Sequence, residues 1–328
     1  MIQEFNKFRE IVESYKRFVL TTHINPDGDG LGSEVALVAY LEKIGKQAII
    51  LNCDATPDNY KFLERIHPIL QFDPAQHTEL LEKAEVIIVL DANHLDRLNM
   101  MKSFISSSNA FKICIDHHLE PGVFANLYIM DDMATSAGEI IYSLITGASE
   151  QIIDRNMAVA LYTAIMTDTG SFRYPKTDSE VHKIIANLIQ AGADPAVIYE
   201  QVYEQYSANR VHLLGLALTN IKLAYDGKVA YTVLTRDMFE ITGATDADTD
   251  AFVPYTLTIN GVQIGFMFSE LNGMVKVNFR SKGDIWINKL AKQFGGNGHK
   301  NAAGARIPQA RLDDIVQQVL KQAALFIC

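Results

Sequence analysis

A doubly wound α/β domain followed by a smaller α/β domain is the fold this 328-residue chain predicts, on three observations. Short apolar, β-branched runs alternate with helical patterns through the first half, as in βαβ units. Their apolarity is continuous rather than alternating, which marks strands covered on both faces and hence a mainly parallel sheet. After Gly192 the rhythm changes, and from about Asp226 strands dominate. At about 150 residues per domain the length also fits two domains.

Arg17–Thr22 (RFVLTT) reads as the first buried strand, followed by a Gly-rich turn and a helix around Ser33–Ile44. Gln47–Asn52, Glu85–Leu90 and Phe111–Ile115 are the next apolar runs. Helical patterns follow at Ser136–Thr146, Asp154–Thr167 and Ser179–Ala191. Ala196–Leu223 is largely helical. The division that results is 1–192, a helical connector over 193–225, and 226–328. In the last segment Val229–Thr235, Tyr255–Glu270 and Met274–Arg280 read as strands. A helix near Ile285–Phe294, a Gly-rich loop and a final helix from Arg311 close it. The acidic stretch Gly243–Asp250 (GATDADTD) reads as a solvated connection. Trp286 is expected to pack against a helix.

Composition narrows the functional classes. Hydrophobic residues make up 48% and charged residues 21%, ordinary for a globular protein. A net charge of −10 argues against wrapping long duplex nucleic acid. The charge divides unevenly: −11 over 1–225, +1 over 226–328, and +5 within Glu270–Arg306. A local basic patch on an acidic chain suits a small anionic ligand. Cys53, Cys114 and Cys328 are too few for a disulfide framework. The N-terminal pattern MIQEFNKFREIVESYKRF has no apolar signal core, and no stretch approaches the roughly 20 apolar residues of a membrane span. A cytoplasmic protein with no membrane partner is expected.

The densest feature is His23-Ile-Asn-Pro-Asp27-Gly-Asp29-Gly-Leu-Gly-Ser33, directly after the first strand. As a Rossmann fingerprint its final glycine is misplaced, and its carboxylates would repel a pyrophosphate. As an EF-hand it fails, because Leu31 and Val38 fall at positions that must coordinate. As a metal-bound turn it works: His23, Asp27 and Asp29 need a cation to offset their mutual repulsion. Taken alone, this stretch would be read as an Asp-rich helix cap. The rest of the chain changes that: Asp91 ends the run EVIIVL, Asp116-His117-His118 ends FKICI, and Asp168 closes another apolar run. Ligand crevices of open α/β sheets lie at the carboxyl ends of strands. An O and N donor set without cysteine suits Mn²⁺, Mg²⁺, Zn²⁺ or Co²⁺, and its size suits two ions about 3.5–4 Å apart. A second candidate is Phe279-Arg280-Ser281 with Gly295-Gly-Asn-Gly298-His299, whose glycines would free backbone N–H groups for an anion.

HINPDGDGLGS, then Asp91, DHH at 116–118 and Asp168 resemble the four motifs of the DHH phosphoesterase superfamily. FRS with GGNGHKNAAG resembles its DHHA1 domain. Nearly the whole chain is covered in the expected order, and its size is most similar to the nanoRNase branch, which hydrolyses oligoribonucleotides and 3′-phosphoadenosine-5′-phosphate (pAp). The resemblance implies a cleft between the lobes and two Mn²⁺ ions, with Mg²⁺ or Co²⁺ as substitutes. It assigns His23, Asp27 and Asp91 to one ion, and Asp29, Asp91, His117 and Asp168 to the other. His118 would face the scissile phosphate and assist the leaving oxygen, directly or through water, with Asp116 orienting the imidazoles. Arg280, Ser281, Gly295, Gly296, Gly298 and His299 would grip the terminal nucleotide. Asn297 departs from the usual glycine, either narrowing the nest or adopting the left-handed conformation that Asn tolerates.

The expected activity is two-metal hydroxide attack on short RNA oligonucleotides, yielding mononucleotides, and on pAp, yielding AMP. A homodimer through the first lobe is also expected. Rivals on the same lobe are a linear or cyclic dinucleotide phosphodiesterase and an exopolyphosphatase- or pyrophosphatase-like hydrolase. A non-catalytic nucleotide-binding module is the rival of another class, opposed by the complete set of metal-ligand positions.

Overall fold

The apolar runs of the first half do become strands, covered by helices on both faces. The structure, a computed structural model, describes residues 2–147 and 152–327, and the chain divides into two units, Met1–Gln205 and Tyr206–Cys328. In chain order the first unit contains α1 (Ile2–Ser14), β1 (Arg17–Thr21), α2 (Gly28–Lys43), β2 (Gln47–Asn52) and β3 (Ile69–Gln71). Next come α3 (Pro74–Lys83), β4 (Val86–Leu90), α4 (Met101–Ser107), β5 (Phe111–Asp116) and β6 (Leu127–Met130). Helices α5 (Ala137–Thr146), α6 (Arg155–Asp168), α7 (Ser179–Gln190) and α8 (Pro195–Tyr203) complete it.

All pairings in this sheet are parallel and the order is β3-β2-β1-β4-β5-β6. The direction of winding reverses between β1 and β4, where such sheets open a crevice. Side chains of one strand enter opposite cores, as a doubly covered sheet requires. Phe18 and Leu20 of β1 join the large cluster with α2, α5 and α6, whereas Val19 joins Leu81, Met101 and Ile105 of α3 and α4.

The Gly-rich stretch after β1 is not a turn. Asp27 caps α2, accepting from the N–H groups of Asp29 and Gly30, and Gly28 to Gly32 are already helical. These glycines are there because neighbouring atoms leave no room for a side chain. A Cβ on Gly30 would stand 2.3 Å from the Thr22 hydroxyl, and one on Gly32 would stand 2.4 Å from the Ala160 carbonyl of α6. Strands β3 and β6 were not read from sequence. One has three residues, and the other alternates in burial as an edge strand does.

The second unit runs α9 (Ala208–Thr219), β7 (Lys222–Ala224), β8 (Val229–Leu234), α10 (Arg236–Thr242), α11 (Pro254–Leu257) and β9 (Ile264–Leu271). It continues with β10 (Met274–Ser281), α12 (Ile287–Lys292), β11 (Asn297–His299), β12 (Ala302–Pro308) and α13 (Leu312–Ala323). Its sheet, ordered β11-β12-β10-β9-β8-β7, is antiparallel except for the β8–β9 pair. Phe266, Phe268, Val277 and Phe279 pack with Leu290 and Val319 of α12 and α13 on one face, while Met267 meets Leu213 of α9 and Phe252 on the other.

Several stretches of the second half take a form that differs from the sequence reading. The stretch Tyr255–Glu270 is not one strand, because Pro254 starts a short helix and pairing begins only at Ile264. The Gly-rich loop is a hairpin, with Asn297 opposite Gly304 and His299 opposite Ala302. Asn297 keeps a strand conformation, and the positive φ values fall on Gly295 and Gly298. Trp286 is half exposed, with the ammonium groups of Lys289 and Lys300 5.0 and 5.7 Å from its ring centre. Residues 193–225, read as a connector, divide between the units, α8 packing on the first core and α9 on the second. Cys53 and Cys114 are buried and free, and Cys328 lies outside the described residues.

Candidate metal centre

Three strand ends and one helix end deliver the acidic and imidazole groups to one place. His23 follows β1, Asp91 follows β4, Asp116 ends β5 with His117 and His118 behind it, and Asp168 is the last residue of α6. Two triads result, His23–Asp27–Asp91 and Asp29–His117–Asp168, each with donor atoms within 4.8 Å of one another. Asp91 stands between them. Its Oδ2 lies 3.3 Å from His23 Nε2, and its Oδ1 lies 3.6 Å from His117 Nε2 and 3.4 Å from His118 Nδ1. The residue holds φ at +52°, a conformation that costs most side chains but suits Asp and Asn.

Each group is held by a partner that selects which atom faces inward. The Ile24 carbonyl, 2.7 Å from His23 Nδ1, can only accept, so that nitrogen carries a proton and Nε2 is left for the site. Asp27 uses Oδ1 to cap α2 and leaves Oδ2 3.7 Å from His23 Nε2. Asp29 is gripped at the start of α5, accepting from Ala137 N–H at 2.7 Å and Gly138 N–H at 2.9 Å. Asp116 Oδ1 accepts from the backbone N–H of His118 at 2.8 Å and from its Nδ1 at 2.7 Å, which leaves Nε2 as the free nitrogen of a half-exposed ring. Arg97 donates to the Asp91 carbonyl and accepts, through its own carbonyl, from Ile24 N–H.

The electrostatics of this cluster fit a cation. Burial disfavours a charged His23, yet Asp27 and Asp91 outweigh it and push the imidazole up to about 10. Burial would raise Asp91, but His117 and His23 hold it below the usual carboxylate range. Burial and the neighbouring Asp91, Asp168 and Asp27 raise Asp29 well above that range. Asp168 is pushed up to about 6 by burial, against His117. In the metal-free protein, protons therefore occupy places that an ion would take. Among the described residues, His23 Nε2, Asp91 Oδ1 and Asp116 Oδ2 are buried with no hydrogen-bond partner. Buried polar atoms are seldom left so. Oxygen and imidazole donors in two triads, with the Asp91 carboxylate between them, accommodate one or two divalent ions.

Sequence reasoning missed three parts of this arrangement. Thr135–Glu139 cradles Asp29; its signal was the capping-box spacing of Ser136 and Glu139, with Ser136 accepting from Glu139 N–H. Asn52, at the end of β2, accepts from Thr22 N–H and donates to Glu34 Oε2 at 2.8 Å. Glu34 itself is fully buried and pushed up to about 8 by desolvation, and nothing in its spacing on α2 announces a site.

In the second unit Arg280 is half-buried on β10, and burial lowers its guanidinium against the pull of Asp250. Gly295, Gly296, Gly298 and His299 lie on or beside the β11–β12 hairpin. Ser281, read as a substrate contact, gives its only O–H to the Ile285 carbonyl and accepts from Asn301, so it braces the hairpin. The stretch 243–250 is also more than a solvated connection, because Asp246 pairs with Lys276 and Arg306.

Residues 17–165 match the model of the DHH family N-terminal domain and residues 226–324 that of the DHHA1 domain, and the chain belongs to this family of metal-dependent phosphoesterases. It is 28% identical over 298 residues to the bifunctional oligoribonuclease and PAP phosphatase NrnA of Bacillus subtilis, covering 90% of this chain and 91% of that one. The NrnA of Thermus thermophilus is 26% identical over 322 residues, 97% of this chain and 93% of the relative. Among solved structures, an exopolyphosphatase-related protein of Bacteroides fragilis superposes with a TM-score of 0.91 at 31% identity, covering 98% of this chain and 97% of that one. Among the described residues no helix is long and apolar enough to cross a membrane.

Proposed function

We propose that this phosphoesterase hydrolyses short RNA oligonucleotides to mononucleotides and pAp to AMP, using two divalent cations, Mn²⁺ in the first place. The observation that carries the two-ion reading is the position of Asp91, one oxygen toward each triad. His23, Asp27 and Asp91 would hold one cation, and Asp29, Asp91, His117 and Asp168 the other. When bound, the cations supply the Lewis acidity that makes water a nucleophile near neutral pH and neutralise charge gathering on the phosphoryl oxygens.

The chain's own groups do the rest. The helix-capping bonds of Asp27 and the α5 grip on Asp29 hold both carboxylates in place before any cation arrives. Asp116 holds the His118 proton on Nδ1, so Nε2 is the nitrogen that exchanges a proton with the leaving oxygen. Residues 226–328 would hold the substrate end through Arg280 and His299, and the +5 charge of Glu270–Arg306 supports that role. Both NrnA relatives are named for the two activities. The buried free thiols Cys53 and Cys114 fit a reducing, cytoplasmic setting.

A second reading, polyphosphate or pyrophosphate hydrolysis, is favoured by the exopolyphosphatase-related structure alone. A manganese-supplemented panel separates them: di- to pentaribonucleotides, pAp, linear and cyclic di-AMP, pyrophosphate and polyphosphate. Release of mononucleotides and of AMP from pAp is the expected result. Turnover confined to pyrophosphate or polyphosphate would overturn the proposal.

A further inference from the structure

On the β10–β12 ladder, Lys276 stands directly opposite Arg306. Val275, Val277 and Phe279 point into the core, so Lys276, Asn278 and Arg280 share the other face. Like charges directly opposite on one face are destabilising. One carboxylate offsets them: Asp246 Oδ1 lies 2.7 Å from Lys276 Nζ, and its Oδ2 lies 2.9 Å from Arg306 Nη2. Two cations on one carboxylate leave a net positive charge. Beside them opens a cavity of about 340 Å³, lined by Lys276, Arg306, Asn297 and glycines 295, 296 and 304, with no acidic side chain in its wall. One row nearer Arg280, Asn278 buries a side-chain oxygen that has no hydrogen-bond donor among the described residues.

We propose that Lys276 and Arg306 form a second anion subsite, which takes a backbone phosphate of a single-stranded oligonucleotide. Asp246 is its internal counter-ion, holding the two cationic side chains side by side. Lys276 is four residues from Arg280, roughly 13 Å along the strand. A phosphate held there belongs to a different nucleotide from the one at Arg280, so the subsite engages longer substrates and not pAp. This rests on the oligonucleotide reading above. The contact is sequence-independent and weakens with salt.

The test uses full-length, manganese-loaded protein with Lys276→Gln, Arg306→Gln and Asp246→Asn, and with pAp, di- and tetraribonucleotides and tripolyphosphate as substrates. In the two cation variants KM for the tetranucleotide rises roughly tenfold more than KM for pAp, the weight of one charge-assisted hydrogen bond. The log–log salt dependence of kcat/KM on the tetranucleotide becomes shallower by roughly 0.7 per lost phosphate contact. Asp246→Asn steepens that dependence and lowers KM for the tetranucleotide. Should Asp246→Asn fail to fold, as a melting curve would show, the two cation variants decide alone. Equal effects on pAp and tetranucleotide, or an unchanged salt slope, overturn the subsite. So does a loss confined to tripolyphosphate, which would assign the cations to polyphosphate instead. Wild-type protein that cleaves no oligonucleotide defeats the functional reading, whereas cleavage with no length-dependent defect defeats the subsite alone.

Discussion

Replacing Asp91 by Asn tests the centre at the residue that stands between the two triads. Asn keeps the volume, tolerates the +52° φ, and preserves the backbone N–H bond to the Ile115 carbonyl at 3.0 Å. Ala would add roughly 1 kcal/mol of left-handed strain and blur the result. What Asn removes is the charge lying 3.3 Å from His23 Nε2 and 3.6 Å from His117 Nε2. Losing a group that merely orients a ligand costs about 10–100-fold in metal affinity. A ligand shared by two ions costs at least that at each, so double occupancy falls by at least about 10²–10⁴. Calorimetric Mn²⁺ titration should show fewer than two bound ions at concentrations that saturate the wild type. Hydrolysis of every phosphoester should fall by about 10³-fold or more, while the melting transition stays cooperative. An Asp91→Asn protein that binds two ions at wild-type affinity and turns over within tenfold of wild type would refute the bridging assignment.

Because His23 is pushed up to about 10, cation uptake at neutral pH must displace its proton. Apparent Mn²⁺ affinity should therefore rise by about tenfold per pH unit through the neutral range, and the binding enthalpy should vary with the ionisation enthalpy of the buffer; a pH-independent affinity would contradict this. Glu34, folded at about 8 against an ordinary 4.5, binds a proton in the native state that the unfolded chain releases. Stability from this group is thus complete below about 4.5 and declines as pH rises to about 8, by up to ~1.4 kcal/mol per unit. Urea unfolding of Glu34→Gln at several pH values should show that decline reduced, and an unchanged profile would show that Glu34 is ionised in the fold. Gly32→Ala would drive a methyl to 2.4 Å from the Ala160 carbonyl and part α2 from α6, costing about 1–3 kcal/mol. Since α6 carries Asp168, Mn²⁺ affinity should fall with the melting temperature; a normal Tm would mean the two helices separate at little cost.

Much of the first unit was legible because its signals are local. Gln47–Asn52 becomes β2 with both ends as read, and Asp154 and Asp178 cap α6 and α7 where capping chemistry places them. Continuous apolar runs implied a doubly covered sheet, and alternate residues of β1 do enter two separate cores. The misreadings share a cause. Gly28 to Gly32 scored as a turn because glycine is a poor helix former, yet close packing against Thr22 and α6 overrides propensity. Pro254 and Gly295 look like interruptions in sequence, but one opens a helix and the other leads into a hairpin.

The sequence by itself determined the donor types, their order along the chain and the strand ends that carry most of them, since these depend on residue identity and short-range periodicity. It also exposed the acidic first half and the basic run from Glu270 to Arg306. Only the tertiary structure decided which atom of each donor faces inward. That choice is made by partners far away in the chain: α5 grips Asp29 from 108 residues on, and Asn52 ties β1 to the buried Glu34. It likewise turned Gly243–Asp250 from a solvated connection into the counter-ion of Lys276 and Arg306, 30 and 60 residues away. Hydrogen bonds and ion pairs act over a few ångströms of space, and no local pattern records which distant residues the fold will bring that close.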